Sequence, residues 1–198
     1  KHKDSICKVT FFFLHTQIIK NMKIIFKKEL KAFFSNITGY IVIVLFVLAN
    51  ALFLWVLPGQ WNVFDSGYAS LDALFFLAPW LYLFLCPAIT MRFFAEEKSE
   101  GTIELLLTKP LSRLDIVAGK ALAGWVLVII ALLPSLIWFL SVYILAEPMG
   151  NVDSGAFWGS WMGLLFLAAV YVAIGTFGSS LTSNQVVAFI FSVVISFL

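Results

Sequence analysis

Long stretches of this sequence carry no charge. From Tyr40 to Leu57, from Ala121 to Leu145 and from Phe157 to Leu198 the only ionisable side chains are tyrosines, and Asp72 stands at the mouth of a further apolar run. Only 12% of the residues are charged and 62% are hydrophobic, whereas roughly a quarter of a soluble domain is charged. That balance excludes a soluble fold and points to a membrane protein. Ion-coupled carriers and proton relays place a carboxylate or histidine at membrane depth, and these runs offer none. Histidine is as scarce: His2 and His15 both precede Met22, which excludes bis-histidine haem ligation between spans. The two cysteines, Cys7 in a basic stretch and Cys86 inside an apolar run, cannot form a disulfide framework. No phosphate-binding loop, metal-spaced cluster or nucleophile and base pair occurs, so neither a resident cofactor nor a nucleic-acid partner is expected.

What the sequence does hold is a series of apolar segments of membrane length. Four run from Tyr40 to Leu57, Leu71 to Met91, Ile116 to Leu145 and Phe157 to Gly178, and a fifth begins at Gln185. A helix needs about 20 residues to cross a bilayer core. The first four meet that length and the fifth does not, so the reading is an all-α polytopic domain over 39–198 whose last span is cut short, as in a fragment. Pro79, Pro87 and Pro134 fall within spans and can kink them. Gly159 with Gly163, and Gly175 with Gly178, allow close helix approach, as internal packing or as a dimer face.

All thirteen basic residues lie between Lys1 and Lys31 or between Arg92 and Lys120. The connections "PGQWNVFDSGYAS" and "AEPMGNVDSGA" hold acids and no base. The positive-inside rule therefore places the N-terminus and the 92–120 stretch in the cytoplasm. Trp55, Trp61, Trp158 and Trp161 collect at the opposite ends of the spans, as an interfacial belt does.

The segment 1–21 lacks a cleavage site and an initiating methionine, and reads as an over-extended start before Met22. Over 22–38, Phe26, Leu30, Phe33, Phe34 and Ile37 recur at helical spacing, with Lys23, Lys27, Lys28 and Lys31 to one side. This pattern predicts an amphipathic helix in the plane of the membrane, its lysines on anionic headgroups.

The stretch "RFFAEEKSEGTIELLLTKPLSRLDIVAGK" gathers five basic and five acidic residues between two apolar runs. Glu96, Glu97, Glu100 and Glu104 stand three and four residues apart, an acidic face on any helix formed there. Gly101 interrupts the first helical piece, Thr102 to Thr108 forms a turn or two, and Pro110 ends it. Ser112 and Asp115 then have the spacing of a capping box that opens the third span. Leu105, Leu106 and Leu107 offer more apolar surface than so small an element can bury. Composition leaves open whether they dock on a soluble partner or rest on the bilayer.

This stretch resembles the intracellular loop of type 2 ABC export permeases, in which E-E-[KR]-x-x-G-T-x-E-L-L-L-[TS]-x-P-[LV]-[ST] joins the second and third spans. Glu96, Glu97, Gly101, Thr102, Glu104, Leu105, Leu106, Leu107, Pro110 and Ser112 match. "KKELKAFFSNITGYIVI", "LFFLAPWLYLFLCPAITMRFFAEEKSEGTIELLLTKPLS", "ALLPSLIW" and "SSLTSNQVVAF" resemble in particular the branch associated with bacterial gliding motility. The resemblance implies a six-span permease in the cytoplasmic (inner) membrane, with loop 92–115 carrying a coupling helix. That helix would seat in a cytoplasmic ABC ATPase subunit holding ATP and Mg. A second permease copy, or a related permease or accessory subunit, would complete the assembly. The competing reading is a membrane anchor that tethers a soluble complex without transporting anything.

Overall fold

The computed structural model describes residues 22–108 and 112–198, with residues 105–107 described as backbone alone. The expectations for residues 1–21 and for Pro110 lie outside that set. Among the described residues every regular element is helical. A first helix, α1, covers residues 22–34 and turns at Ser35 and Asn36 into α2 (Ile37–Ala51), which ends in a π-helical turn (Leu52–Val56). Next come α3 (Asp72–Thr90), α4 (Arg92–Ser99) and the short α5 (Thr102–Leu107). Then α6 (Arg113–Leu132), α7 (Pro134–Leu145), α8 (Ser154–Leu181) and α9 (Gln185–Phe197) complete the chain.

The sequence marks these boundaries chemically. Ser112 accepts a hydrogen bond from the Asp115 N–H at 3.1 Å while the Asp115 carboxylate accepts from the Ser112 N–H at 3.3 Å, the expected capping box. Asp153 accepts from the Ala156 N–H, and Asn184 from Val186 and Val187, so α8 and α9 start on side-chain caps as well. Pro134 divides the third span into α6 and α7. Near that break the Ser135 hydroxyl donates to the Leu132 carbonyl and accepts from the Trp161 indole.

Four apolar helical stretches have membrane length: Ile37–Val56, Asp72–Ser99, Arg113–Leu145 and Ser154–Leu181. The second differs from its reading, because helix continues past Met91 through α4 to Ser99. The predicted first helix also ends four residues early, which moves Ile37 into α2, where it is exposed.

The helices α3 and α8 are the central pair, with α2, α6 and α9 around them. In lipid the apolar exterior is not driven inward by water, so association depends on close van der Waals contact and interhelical hydrogen bonds. Two glycines of α8 supply that contact. A Cβ at Gly175 would stand 2.1 Å from the Thr90 hydroxyl oxygen, and one at Gly178 would stand 2.2 Å from that of Ser192. Thr90 and Ser192 bond back to the carbonyls of Cys86 and Ala188, which holds their hydroxyls against the glycines. Among the described residues nothing lies within 4 Å of a Cβ placed at Gly159 or Gly163. The outer surface stays apolar, with Leu45, Phe84, Phe166 and Ile190 exposed, as a lipid-facing bundle requires.

This contrast yields a test. Alanine is favoured over glycine in a helix by about 1 kcal/mol, so Gly159→Ala should leave thermal stability in detergent unchanged or raised. Gly175→Ala should lower it by about 1–3 kcal/mol through overpacking against Thr90. Equal unfolding temperatures for the two variants would refute the close α3–α8 contact.

Candidate functional site

Charged residues of the 92–120 stretch converge with α1 at one end of the bundle. The chain reaches this site through a break at Met91, one turn after Pro87. The break leaves early N–H groups of α4 in need of an acceptor. Ser179 of α8 accepts from the Phe94 and Ala95 N–H groups at 3.0 and 3.1 Å and donates to the Met91 carbonyl at 2.9 Å. Lys98 adds a bond to the Ser180 carbonyl. The start of α4 is thereby fixed to the end of α8.

Its opposite face is held by charge. Lys120 of α6 is 1% exposed, and an unpaired ammonium there would be prohibitively costly. It donates hydrogen bonds to Glu29 of α1 at 2.7 Å and to the Phe93 carbonyl at 2.6 Å, and it forms an ion pair with Glu97 of α4 at 3.0 Å. The ammonium also lies 5.1 Å from the Phe94 ring centroid. Lys28 of α1 reaches the same Glu97 oxygen at 2.7 Å. Two ammoniums and two carboxylates therefore balance, and three helices distant in sequence meet at Glu97. Burial alone would lower the Lys28 pKa, but the hydrogen bond and charge of Glu97, with Glu29 and Glu100 nearby, raise it above 10.5.

Apolar contact reinforces the junction. Ile25 of α1 is buried against Gly119 of α6, where a Cβ would approach the Ile25 side chain to 3.0 Å. Gly39 lies beneath Phe33, whose carbonyl oxygen would stand 2.5 Å from an added Cβ, so the turn from α1 into α2 closes only over glycine. The face of α1 turned to the bundle thus runs through Ile25, Glu29 and Phe33 and cuts across the aromatic stripe read from the sequence.

Beyond α4 the chain turns on Gly101, whose φ of 69° and ψ of 7° put it in the left-handed region that favours glycine. Gly101 therefore ends α4 and starts α5. Thr102 donates its hydroxyl to the Glu97 carbonyl at 3.3 Å, which folds α5 back toward α4.

The predicted acidic face is accordingly divided. Glu97 is buried in the ion cluster, Glu96 is half-buried, and Glu100 and Glu104 are exposed. Lys23, Lys27 and Lys31 are exposed on α1, while Lys28 turns to Glu97. For Leu105, Leu106 and Leu107 the backbone is helical. Sequence reasoning overlooked Glu29 and Lys120. The signal was present: Lys120 shares a stripe with Ile116, Ala123 and Leu127, all buried, and Glu29 is the lone acid among the lysines of α1. Among the described residues no group of histidine, cysteine and carboxylate side chains could hold a metal ion.

Removing one member of a buried ion pair costs about 3–5 kcal/mol because its partner is left uncompensated. Lys120→Met should therefore sharply reduce folded protein in detergent. In a double-mutant cycle the added loss from Glu97→Gln should be much smaller in the Lys120→Met background than in the native one; additive losses would contradict a shared cluster. A second test uses pH. Because its folded pKa is raised, Lys28 contributes stability that is complete below 10.5 and is lost as pH rises through the higher folded value. The stability gap between the native protein and Lys28→Met should thus be constant from neutral pH upward and narrow only above 10.5. A gap that narrows below that pH would refute the pairing.

A model of the family described as ABC-2 family transporter protein matches residues 19–198. No curated protein and no solved structure shows significant similarity to the chain. Membrane domains of the ABC-2 family are in general non-catalytic and act with an ATPase subunit of an ABC system. A match over nearly the whole chain, together with four apolar helices of membrane length, shows that this multi-pass membrane protein belongs to the ABC-2 transporter family, as a permease subunit.

Proposed function

We propose that this permease works in an ATP-driven export system of the bacterial inner membrane, inserted with its basic end in the cytoplasm. In this reading α5 is the coupling helix, received by a cytoplasmic ATPase subunit that binds ATP and Mg. The basic residues at one end and the tryptophans at the other support the orientation. Lys23, Lys27 and Lys31 would lie on anionic headgroups, with α1 along the membrane surface.

The observation that carries the reading is the mechanical setting of α5. It hangs from Gly101 on α4, and α4 is clamped to α1, α6 and α8 by the Glu97 cluster and Ser179. A push on α5 would reach the second and third spans through one rigid body. A passive tether has no need of such a linkage. The same chain would pair with a second permease copy, or with a related permease or accessory subunit. The link to gliding motility rests on the stretches from Lys27 to Ile43, Ala131 to Trp138 and Ser179 to Phe189, and the cargo could then be a substrate or conformational work.

The structure redirects the docking test toward exposed groups. Glu104, exposed on α5, is suitable, whereas changing Glu97 would disrupt the ion cluster itself. In pull-downs from detergent extracts, Leu105→Ala with Leu106→Ala should weaken ATPase capture by roughly 1–3 kcal/mol per leucine, the scale of an interface anchor. Glu104→Lys should weaken it through misplaced charge. Membrane insertion is checked by labelling a cysteine placed at Asp65. Undiminished capture in both variants, with insertion intact, would refute α5 as the coupling helix and favour the anchor.

A further inference from the structure

A cavity of about 370 Å³ opens at the basic end between α1, the first turns of α2 and the α3–α4 junction. One wall is apolar and belongs to the spans, formed by Val42, Ala88 and Ile89 with Phe33 of α1. The other wall carries Arg92, Glu96 and Glu100. These three stand at i, i+4 and i+8, so they form one stripe along α4 with about 6 Å of rise between neighbours. Among the described residues none of the three makes an ion pair, although Arg92 and Glu96 have the spacing for one. The remaining charged groups of the lining, Lys28, Glu29, Glu97 and Lys120, neutralise one another.

The order of the stripe is informative. Arg92 lies next to the apolar run, and Glu96 and Glu100 lie successively farther out. A fitting ligand is apolar at one end, then carries an anion, then a cation about one helical turn beyond. We infer that the cavity holds one lipid with a phosphoethanolamine head from the leaflet at the basic end. Its phosphate pairs with Arg92, its ammonium with Glu96 and Glu100, and an acyl chain lies along Val42 and Ala88. An anionic head without an amine leaves both carboxylates facing a phosphate. A choline head has no N–H to donate, whereas the ethanolamine ammonium has three.

Native mass spectrometry of the full chain, released from nanodiscs of equimolar phosphatidylethanolamine, phosphatidylcholine and phosphatidylglycerol, tests this. One phosphatidylethanolamine should be retained per chain, about tenfold over either competitor, as expected for one charge-assisted hydrogen bond more than they can make. Glu96→Gln with Glu100→Gln should abolish the preference for ethanolamine over choline, and Arg92→Gln should reduce retention of all three. Ala88→Phe, which fills the apolar wall, should do the same without touching a charge. Equal retention of the three lipids by the native chain, or a preference for phosphatidylglycerol, would overturn the assignment whatever the variants do. Unchanged selectivity in the glutamate double variant would overturn it as well.

Discussion

One buried ammonium organises the basic end of this protein. Lys120 lies on the core face of a transmembrane helix, where water cannot reach it, and each of its three protons must find an acceptor inside the chain. Those acceptors come from α1 and α4, elements 91 and 27 residues away in sequence. The first helix, the second span and the third span therefore meet around a single charge. Lys28 then supplies the second positive charge that two converging carboxylates need. An apolar residue at 120 would leave Glu29 and Glu97 without this shared ammonium, and nothing on α6 would then fix α1 and α4 by charge.

Within the spans the bundle is held by other means. Inside a bilayer there is little gain in burying leucine against leucine, so the spans rely on close backbone approach and a few polar contacts. Gly175 and Gly178 bring α8 against α3 and α9, and the Trp125 indole donates to the Leu165 carbonyl between α6 and α8. Nearer the tryptophan belt, the π-helical turn leaves the Leu54 carbonyl free to accept from the Val63 N–H, which ties the following loop down. Specific contacts of this kind fix the helices relative to one another and leave an apolar exterior for lipid.

Much of this was legible in the residues. Span number, the capping box at Ser112 and the punctuation by Gly101 each follow from local chemistry that tertiary structure does not override. The family loop was legible because its residues are specified by position. Three things were not. The continuation of the second span into α4 was not read because the apolar run ends at Met91 and the charges beyond it marked a connection, although Glu97 is internal. The bundle-facing side of α1 was not read, because the stripe of large aromatics drew weight away from Ile25, which is buried. Lys120 was passed over because it was counted only as the last basic residue of the 92–120 stretch, and only its register with Ile116, Ala123 and Leu127 reveals that it points inward. In each case periodicity gave the helix, and the partner that selects its inner face came from far along the chain.

Ser179 has a consequence for how the basic end can move. Its single hydroxyl accepts twice and donates once across the α4–α8 contact, which uses both lone pairs and its only proton. A small slide of α4 cannot trade one of these bonds for another, because the oxygen has no spare capacity. The three are kept or surrendered together. A force on the loop beyond α4 therefore meets stiffness up to a threshold and then release, the mechanical character of a detent rather than of a spring.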